Sequence, residues 1–360
     1  MTAVRAIGWL LMSCLAGPAA DQTHLKPDEK IVFYPGIARR IPGEAAWRVE
    51  IRGCVYEPEK RGVLMAALRG ALDLKDVAMT PSEEKQFNER ARLFLVDHER
   101  GKKIFVRFGL EPFAVGKSKA DGTFFGEVRL SGDDIGESPC VTFDAALPPG
   151  EGRSFRGQAF KLEQTGLSVI SDIDDTIKIT EVRDRHALLR NTFFREFTPV
   201  PGMAELYQTL ARSNRAQFHY LSAGPWQLCE PLVEFANTHG FPQGTFALKE
   251  FRWKNRTFLS LFASPEKYKP AVIEPLLKRF PQRRFILIGD SGERDPEIFA
   301  ALARKYPRQI AGIYIRDVTG EPASAARYTK TFLGVPTGLW QVFATPDELK
   351  PFLETPPSQR

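Results

Sequence analysis

The residues best suited to chemistry fall in one short run. Ser168-Val169-Ile170-Ser171 reads as a strand, and Asp172, Asp174, Asp175 and Thr176 follow at once. Successive strand side chains alternate faces, so Asp172 and Asp174 are expected to lean to one side and repel each other. A chain keeps such a pair when a cation sits between the two or when one of them does chemistry. The carboxyl end of a buried strand is also where an open α/β sheet places its ligand. The arrangement points to Mg²⁺-dependent phosphoryl transfer with an aspartate as nucleophile. Taken alone, the run is equally well read as an acidic turn capped by Thr176, so its companions decide.

Three companions follow in order. Phe218-His219-Tyr220-Leu221-Ser222 is a second short apolar strand, ending in a hydroxyl. Lys267 and Lys269 open a predicted helix before the next strand. Phe285-Ile286-Leu287-Ile288-Gly289 is a third buried strand, closed by Asp290 and followed by Asp295. The set resembles motifs I to IV of the haloacid dehalogenase (HAD) superfamily of phosphatases: Asp-x-Asp-x-Thr, a strand-end hydroxyl, a lysine, and Gly-Asp-x-x-x-x-Asp. A narrower resemblance lies in Ser171 through Thr180, Pro201-Gly202-Met203, Leu221 through Leu228, and Phe285 through Glu297. These segments look like the catalytic domain of the fungal actin-patch phosphatidate phosphatases and their bacterial relatives, distant cousins of the lipins. The likeness covers residues 165–345. Relatives commonly carry His-Lys at motif III, whereas this chain has Tyr268-Lys269; Lys269, in register with Ile273, is preferred to Lys267.

The resemblance implies a role for each residue. Asp172 would attack phosphorus and form an aspartyl-phosphate. Asp174 would protonate the leaving alkoxide and then take a proton from the hydrolytic water. Mg²⁺ would be held by Asp172, Asp290 and the backbone carbonyl of Asp174, with Asp295 acting directly or through water. Thr176, Ser222 and Lys269 would stand on the substrate side, the serine and lysine holding phosphoryl oxygens. The expected reaction converts phosphatidate to diacylglycerol and phosphate. Two rivals stand beside it: a HAD phosphatase for another phosphomonoester, and a phosphatidate-binding module without turnover. The intact Asp172 and Asp174 argue against the second, since a pure binder has no need of a repelling pair.

The elements that must position these residues divide at residues 165–166. From residue 167, strands and helices alternate: a strand to Ser171, a helix from Gly202, then strands at 217–222, 245–249, 284–289 and 310–316. Helices at 226–238, 266–279 and 295–305 fall between them. This is the pattern of βαβ crossovers onto a parallel sheet. The intervals on either side of Ser222 hold no extra domain, so a HAD-like α/β sheet with a minimal cap and an open site is expected over 166–345. Residues 346–360 read as a C-terminal helix and tail. Residues 21–165 read as a mainly β, antiparallel, sandwich-like domain, with strands at Trp47–Tyr56, Arg92–Val96, Lys103–Phe108, Thr123–Leu130 and Val141–Phe143. An amphipathic helix is expected at Val63–Leu74.

The chain has 360 residues, 43% hydrophobic and 26% charged, with a formal charge of +6. That composition excludes a disordered polypeptide and suits an anionic partner such as a phospholipid surface. No nucleic-acid module signature is present, so no nucleic acid is expected as partner; the oligomeric state is left open. Arg5, the apolar run Ala6–Ala16 and Gly17-Pro18-Ala19-Ala20 read as a signal peptide over 1–20 and an exported protein, with membrane association. Leu11-Met12-Ser13-Cys14 is a weak lipoprotein box. Beyond it lie Cys54, Cys140 and Cys229, of which the first two are the pair available to an oxidising compartment and the third suits helix packing. No His or Cys cluster supports zinc. Asp175 reads as a loop cap, Glu293 as a solvated helix-start residue, and His186 and His219 as structural. The run Phe251-Arg252-Trp253-Lys254-Asn255-Arg256 fits either a membrane-facing segment or a solvated loop.

Overall fold

The computed structural model describes residues 21–58, 79–249 and 265–349. The expected leader, the helix at Val63–Leu74, the segment Phe251–Arg256 and the tail beyond residue 349 lie outside the described residues. The first unit comprises β1 (Lys30–Tyr34), β2 (Gly36–Arg40), β3 (Ala46–Pro58), α1 (Pro81–Arg92), β4 (Val96–His98), β5 (Lys103–Phe108), β6 (Glu111–Lys117), β7 (Thr123–Ser131), β8 (Cys140–Ala145) and β9 (Arg156–Leu162). Its nine strands belong to one hydrogen-bonded sheet along the path β1-β3-β2-β9-β8-β5-β6, with β4 and β7 also paired to β3. The long β3 therefore serves several partners, and β7 comes back close to β6, where Gly126 lies against the Val115 carbonyl and leaves no room for a side chain. Val49, Ile51, Ile104, Val106, Phe124 and Val128 fill the core enclosed by this curl.

Three expectations for this unit are corrected. The sheet is mixed rather than purely antiparallel, because β2 runs parallel to β9. Residues 92–96 are not a strand: α1 ends at Arg92, Leu93–Phe94 turn, and the strand is Val96–His98. Cys54, Cys140 and Cys229 are all free thiols, so the Cys54–Cys140 pair does not form; Cys229 is buried on a helix. The start of α1 follows from its cap. Thr80 accepts from the Glu83 N–H while the Glu83 carboxylate accepts from the Thr80 N–H, and Pro81 supplies a preset φ at the first position.

The second unit runs β10 (Leu167–Asp172), β11 (Lys178–Ile179), α2 (Arg185–Leu189), a π-turn at Arg190–Phe194, β12 (Thr198–Pro199), α3 (Met203–Asn214), β13 (Gln217–Pro225), α4 (Cys229–Thr238), β14 (Gly244–Lys249), α5 (Pro265–Arg279), β15 (Arg284–Asp290), α6 (Asp295–Lys305), β16 (Ile310–Arg316), α7 (Ala326–Thr331) and β17 (Trp340–Phe343). A single 3₁₀ turn at Pro346–Leu349 stands where a C-terminal helix was expected to begin. Six strands form a sheet in the order β14-β13-β10-β15-β16-β17, all neighbours parallel. Parallel strands need crossover connections, which place helices on both faces and bury both sides of each strand. Alternation along the central strands shows this. Val169, Phe218, Tyr220, Ile286 and Ile288 enter one core with α3 and α4, while Ile170, Leu221, Phe285 and Leu287 enter the other with α5 and α6.

Side chains from the first unit reach into the second. Arg52 donates to the Pro35 and Phe246 carbonyls at 3.1 and 2.9 Å and lies over the Trp226 ring, which stacks on Tyr34. Glu50 pairs with Arg279. The Arg283 guanidinium donates to Ser168 Oγ and to the Glu163 and Leu167 carbonyls at 2.7–3.0 Å, fixing the chain where one sheet gives way to the other. Among the described residues, no helix is long and apolar enough to cross a membrane.

Candidate active site

The carboxyl ends of β10, β13 and β15 bring together the residues singled out in the sequence. Asp172 is the last residue of β10, and its side chain is 2% exposed. On one flank Asp290 ends β15; on the other, Ser222 lies near the end of β13. Asp295 is the first residue of α6 and reaches back over Gly289. A Cβ at 289 would collide with the Asp295 carboxylate, so the Gly-Asp sequence is a packing requirement. Lys269, fully buried, comes from the first turns of α5, whereas Lys267 is exposed to solvent.

Lys269 is the hub of an acidic cluster. Its Nζ lies 2.8 Å from Asp172 Oδ1 and 3.0 Å from Glu293 Oε2, and it also pairs with Asp295. Glu293 corrects the expectation of a solvated helix-start residue. It falls in the turn before α6, and its side chain points inward to Lys269. Burial pushes the Asp172 carboxyl well above the usual aspartate range; Lys269 opposes the shift, and Asp295, Glu293 and Asp290 add to it. Burial likewise raises Asp290, with Asp295 adding and Lys269 opposing. Burial disfavours the Lys269 ammonium, yet Asp172 and the other carboxylates outweigh it and hold the lysine charged.

Asp174 stands in different company. The strand ends at Asp172, so the alternation argument for a repelling pair stops there. Asp174 lies in a turn that bridges to Lys178. Its Oδ1 accepts from the Lys178 ammonium at 2.9 Å and from Thr180 Oγ1 at 2.8 Å, and its Oδ2 from Ser222 Oγ at 2.7 Å. Burial would raise this carboxyl, but Lys178 and the two hydroxyls outweigh it and hold it below the usual range. Ser222 Oγ also accepts from the Gly224 N–H at 2.9 Å. Thr176, fully buried, donates from Oγ1 to Asp172 Oδ2 at 3.3 Å. Asp175 is a loop cap, as read from the sequence. At φ 55° it accepts from the N–H groups of Thr180, Glu181 and Val182 at 2.7–2.8 Å. His219 is enclosed between Ser168 and Thr245, away from the cluster.

Asp172, Asp290 and Asp295 each present an oxygen within 4.8 Å of the others. The fourth residue named for the metal, Asp174, keeps its carboxylate outside this group; its backbone carbonyl is the atom the resemblance assigns. One observation tests whether a hard cation fits. Asp290 Oδ1 accepts from the Gly292 and Glu293 N–H groups, but its buried Oδ2 has no hydrogen-bond partner among the described residues. A buried, unpartnered carboxylate oxygen is costly unless a cation meets it. With three buried carboxylates, Asp172, Asp290 and Asp295, and no sulfur or imidazole among them, the donor set suits Mg²⁺.

The sequence assigns no role to several positioning residues. Lys178 and Thr180 sit on the turn after Asp174, Arg316 donates to the Asp175 carbonyl at 2.6 Å, and Arg327 holds the loop after β15 through the Ser291 and Glu293 carbonyls. The small flap formed by β11, α2, the π-turn and β12 is braced by α1. Arg190 pairs with Glu83 at 2.6 Å, Arg90 donates to the Thr192 and Arg195 carbonyls, and Phe87 stacks on Phe194. The capping box of α1 is legible in the sequence; its use as a brace is not.

Comparison with known proteins follows this geometry. Residues 167–317, which contain Asp172, Asp174, Thr176, Ser222, Lys269, Asp290, Glu293 and Asp295, match the family model described as the catalytic domain of phosphatidate phosphatase APP1. Phosphatidate phosphatase APP1 of Saccharomyces cerevisiae is 38% identical over 154 residues, 42% of this chain and 26% of that protein. An uncharacterized protein of Schizosaccharomyces pombe is 28% identical over 173 residues, 47% of this chain and 28% of that protein. The chain thus matches little more than a quarter of the length of either curated relative. A solved structure of a Pnkp1/Rnl/Hen1 complex covers 46% of this chain and 55% of its own at 11% identity, with a TM-score of 0.29, too low to carry an argument. The part of the chain that holds the site is similar to the catalytic domain of phosphatidate phosphatase APP1.

Proposed function

We propose that this chain is an exported, Mg²⁺-dependent phosphatidate phosphatase of HAD-like architecture, acting through an aspartyl-phosphate at a phospholipid surface. The observation that carries the reading is Asp172: a buried carboxylate at the end of the central strand, 2.8 Å from Lys269, with Asp174 in its own hydrogen-bonded pocket beside it. The match to a phosphatidate phosphatase catalytic domain supports the substrate. Asp172, Asp290 and Asp295 would hold Mg²⁺, which when bound offsets phosphoryl charge as a Lewis acid.

The residues of the chain divide the work in two half-reactions. In the first, an Asp172 oxygen bonds to phosphorus as the bond to the glycerol oxygen breaks, and Asp174 gives that alkoxide a proton. In the second, water attacks the aspartyl-phosphate and yields its proton to Asp174, releasing phosphate. Lys178, Thr180 and Ser222 favour ionised Asp174, which suits the second half-reaction. Lys269 orients Asp172 and offsets its charge as the phosphate dianion approaches. Phosphate release from phosphatidate micelles and from soluble monoesters, with and without Mg²⁺, tests the reading. Faster turnover of phosphatidate, lost in chelator, is expected. Far higher efficiency on soluble monoesters would replace it with the general phosphomonoesterase reading, and binding of phosphatidate without release would leave only a binding module.

A further inference from the structure

Arg183 stands at the mouth of the site, and neither half-reaction above uses it. It lines a cavity of about 220 Å³ together with Asp174, Ala223, Gly224, Gly292 and Glu293. Its Cδ lies 3.5 Å from the point where a Cβ on Gly292 would stand, so the glycine leaves a lane for the arginine side chain. The other cations bordering the site are committed: Lys269 to three carboxylates, Lys178 to Asp174, Arg316 to the Asp175 carbonyl and Arg327 to Glu297. The exposed Arg183 guanidinium forms no hydrogen bond or ion pair among the described residues.

Its backbone is nonetheless held on both sides. Asp175 accepts from the three N–H groups just before it, at Thr180, Glu181 and Val182. Just after it, Asp184 caps α2 by accepting from His186 and Ala187 at 2.8 and 3.2 Å. An unpaired fork of donors on an anchored turn lines a cavity that Asp174 and Glu293 also border, and suits an anion those two carboxylates would otherwise repel. Guanidinium and phosphate match in bidentate geometry, and an anchored donor loses less freedom on binding.

We propose that Arg183 receives the phosphate group of the incoming phosphomonoester and sets the affinity for it, a role that rests on the phosphomonoesterase reading above. The test uses the whole chain with Mg²⁺ and compares wild type, Arg183→Gln and Arg183→Lys. Turnover is measured on phosphatidate in mixed micelles and on para-nitrophenyl phosphate, and binding of inorganic phosphate by calorimetry. Arg183→Gln should raise KM about tenfold for both esters and weaken inorganic phosphate by a similar factor, with kcat within about threefold. Arg183→Lys should fall between, since it keeps charge but loses the fork. Unchanged KM and phosphate affinity would overturn the proposal while leaving the phosphatase reading intact. So would a KM increase confined to phosphatidate, which would assign Arg183 to the lipid surface instead. If wild type releases phosphate from no ester, even while binding inorganic phosphate through Arg183, the phosphatase reading fails and the substrate role of Arg183 fails with it.

Discussion

Asp172 shares one ammonium with two other acids, whereas Asp174 has a cation and two hydroxyls to itself. The two residues are separated only by Ile173, yet their carboxyls are pushed in opposite directions, Asp172 upward by burial and Asp174 downward by its partners. The first environment crowds several carboxyls together and leaves an Asp290 oxygen unpartnered among the described residues. The second is satisfied within the chain. In these directions the chain alone favours a protonated Asp172 and an ionised Asp174, so a nucleophilic Asp172 calls for a cation beside it, as proposed above. The difference also teaches that spacing alone misleads: the pair was expected to repel, and the turn after β10 separates it instead.

The sharpest way to break the comparison is Asp172→Asn. A neutral amide cannot attack phosphorus, so turnover should fall more than about 100-fold with the fold intact by circular dichroism. Activity above that level would remove Asp172 as nucleophile. Next comes Asp290→Asn, which should cut the activity recovered on adding Mg²⁺ after chelation by about tenfold or more. It should also raise the melting temperature in chelator by a few degrees, as about 1 kcal/mol of carboxylate repulsion is relieved. Full activity in chelator, or rescue by Zn²⁺ alone, would contradict the assigned cluster.

The Asp174 side is probed by Lys178→Met. Loss of the cation should raise the Asp174 pKa, and the limb of the pH–rate profile that reports it should move to higher pH by about one unit. A profile that does not move would detach Asp174 from the chemistry. The smallest effect on activity is expected at His219, outside both regions. Burial, with Arg283 and Arg52, pulls its pKa down to about 3. The unfolded chain then binds more protons than the folded one below about pH 6.5, so stability is complete above that pH and is lost as pH falls from 6.5 toward 3. Urea midpoints across this range should slope less in His219→Gln, while turnover at neutral pH changes less than about twofold.

The parallel sheet was legible because its strands are short apolar runs closed by carboxylates or a hydroxyl, and its helices show the 3.6 period. Lys269 was chosen over Lys267 by register, and the structure buries the first and exposes the second. Glu293 reads as a solvated helix-start residue, and the expected helix at 295–305 coincides with α6; the turn between β15 and α6 carries the side chain inward to Lys269, which helical spacing does not report. Lys178, Thr180 and Arg183 carry no periodic signal, since Asp175 at positive φ folds the chain back on itself there. In the first unit, β9 lies beyond the last strand that alternation marked and joins β2 in parallel, a pairing no local pattern encodes. Helix α1 is announced by Thr80-Pro81-Ser82-Glu83, but its residues are mostly polar, and Phe87 and Ala91 are the apolar side chains it buries, too few to show a helical period.

The central claim, that Asp172 becomes phosphorylated by a lipid phosphomonoester, is tested most directly by rapid acid quench with ³²P-labelled phosphatidate and Mg²⁺. Wild type should carry acid-stable, base-labile label on the peptide containing Asp172, forming no slower than phosphate appears, and Asp172→Asn should carry none. Phosphate released by wild type with no labelled protein at any time, or label that persists in Asp172→Asn, would contradict the account.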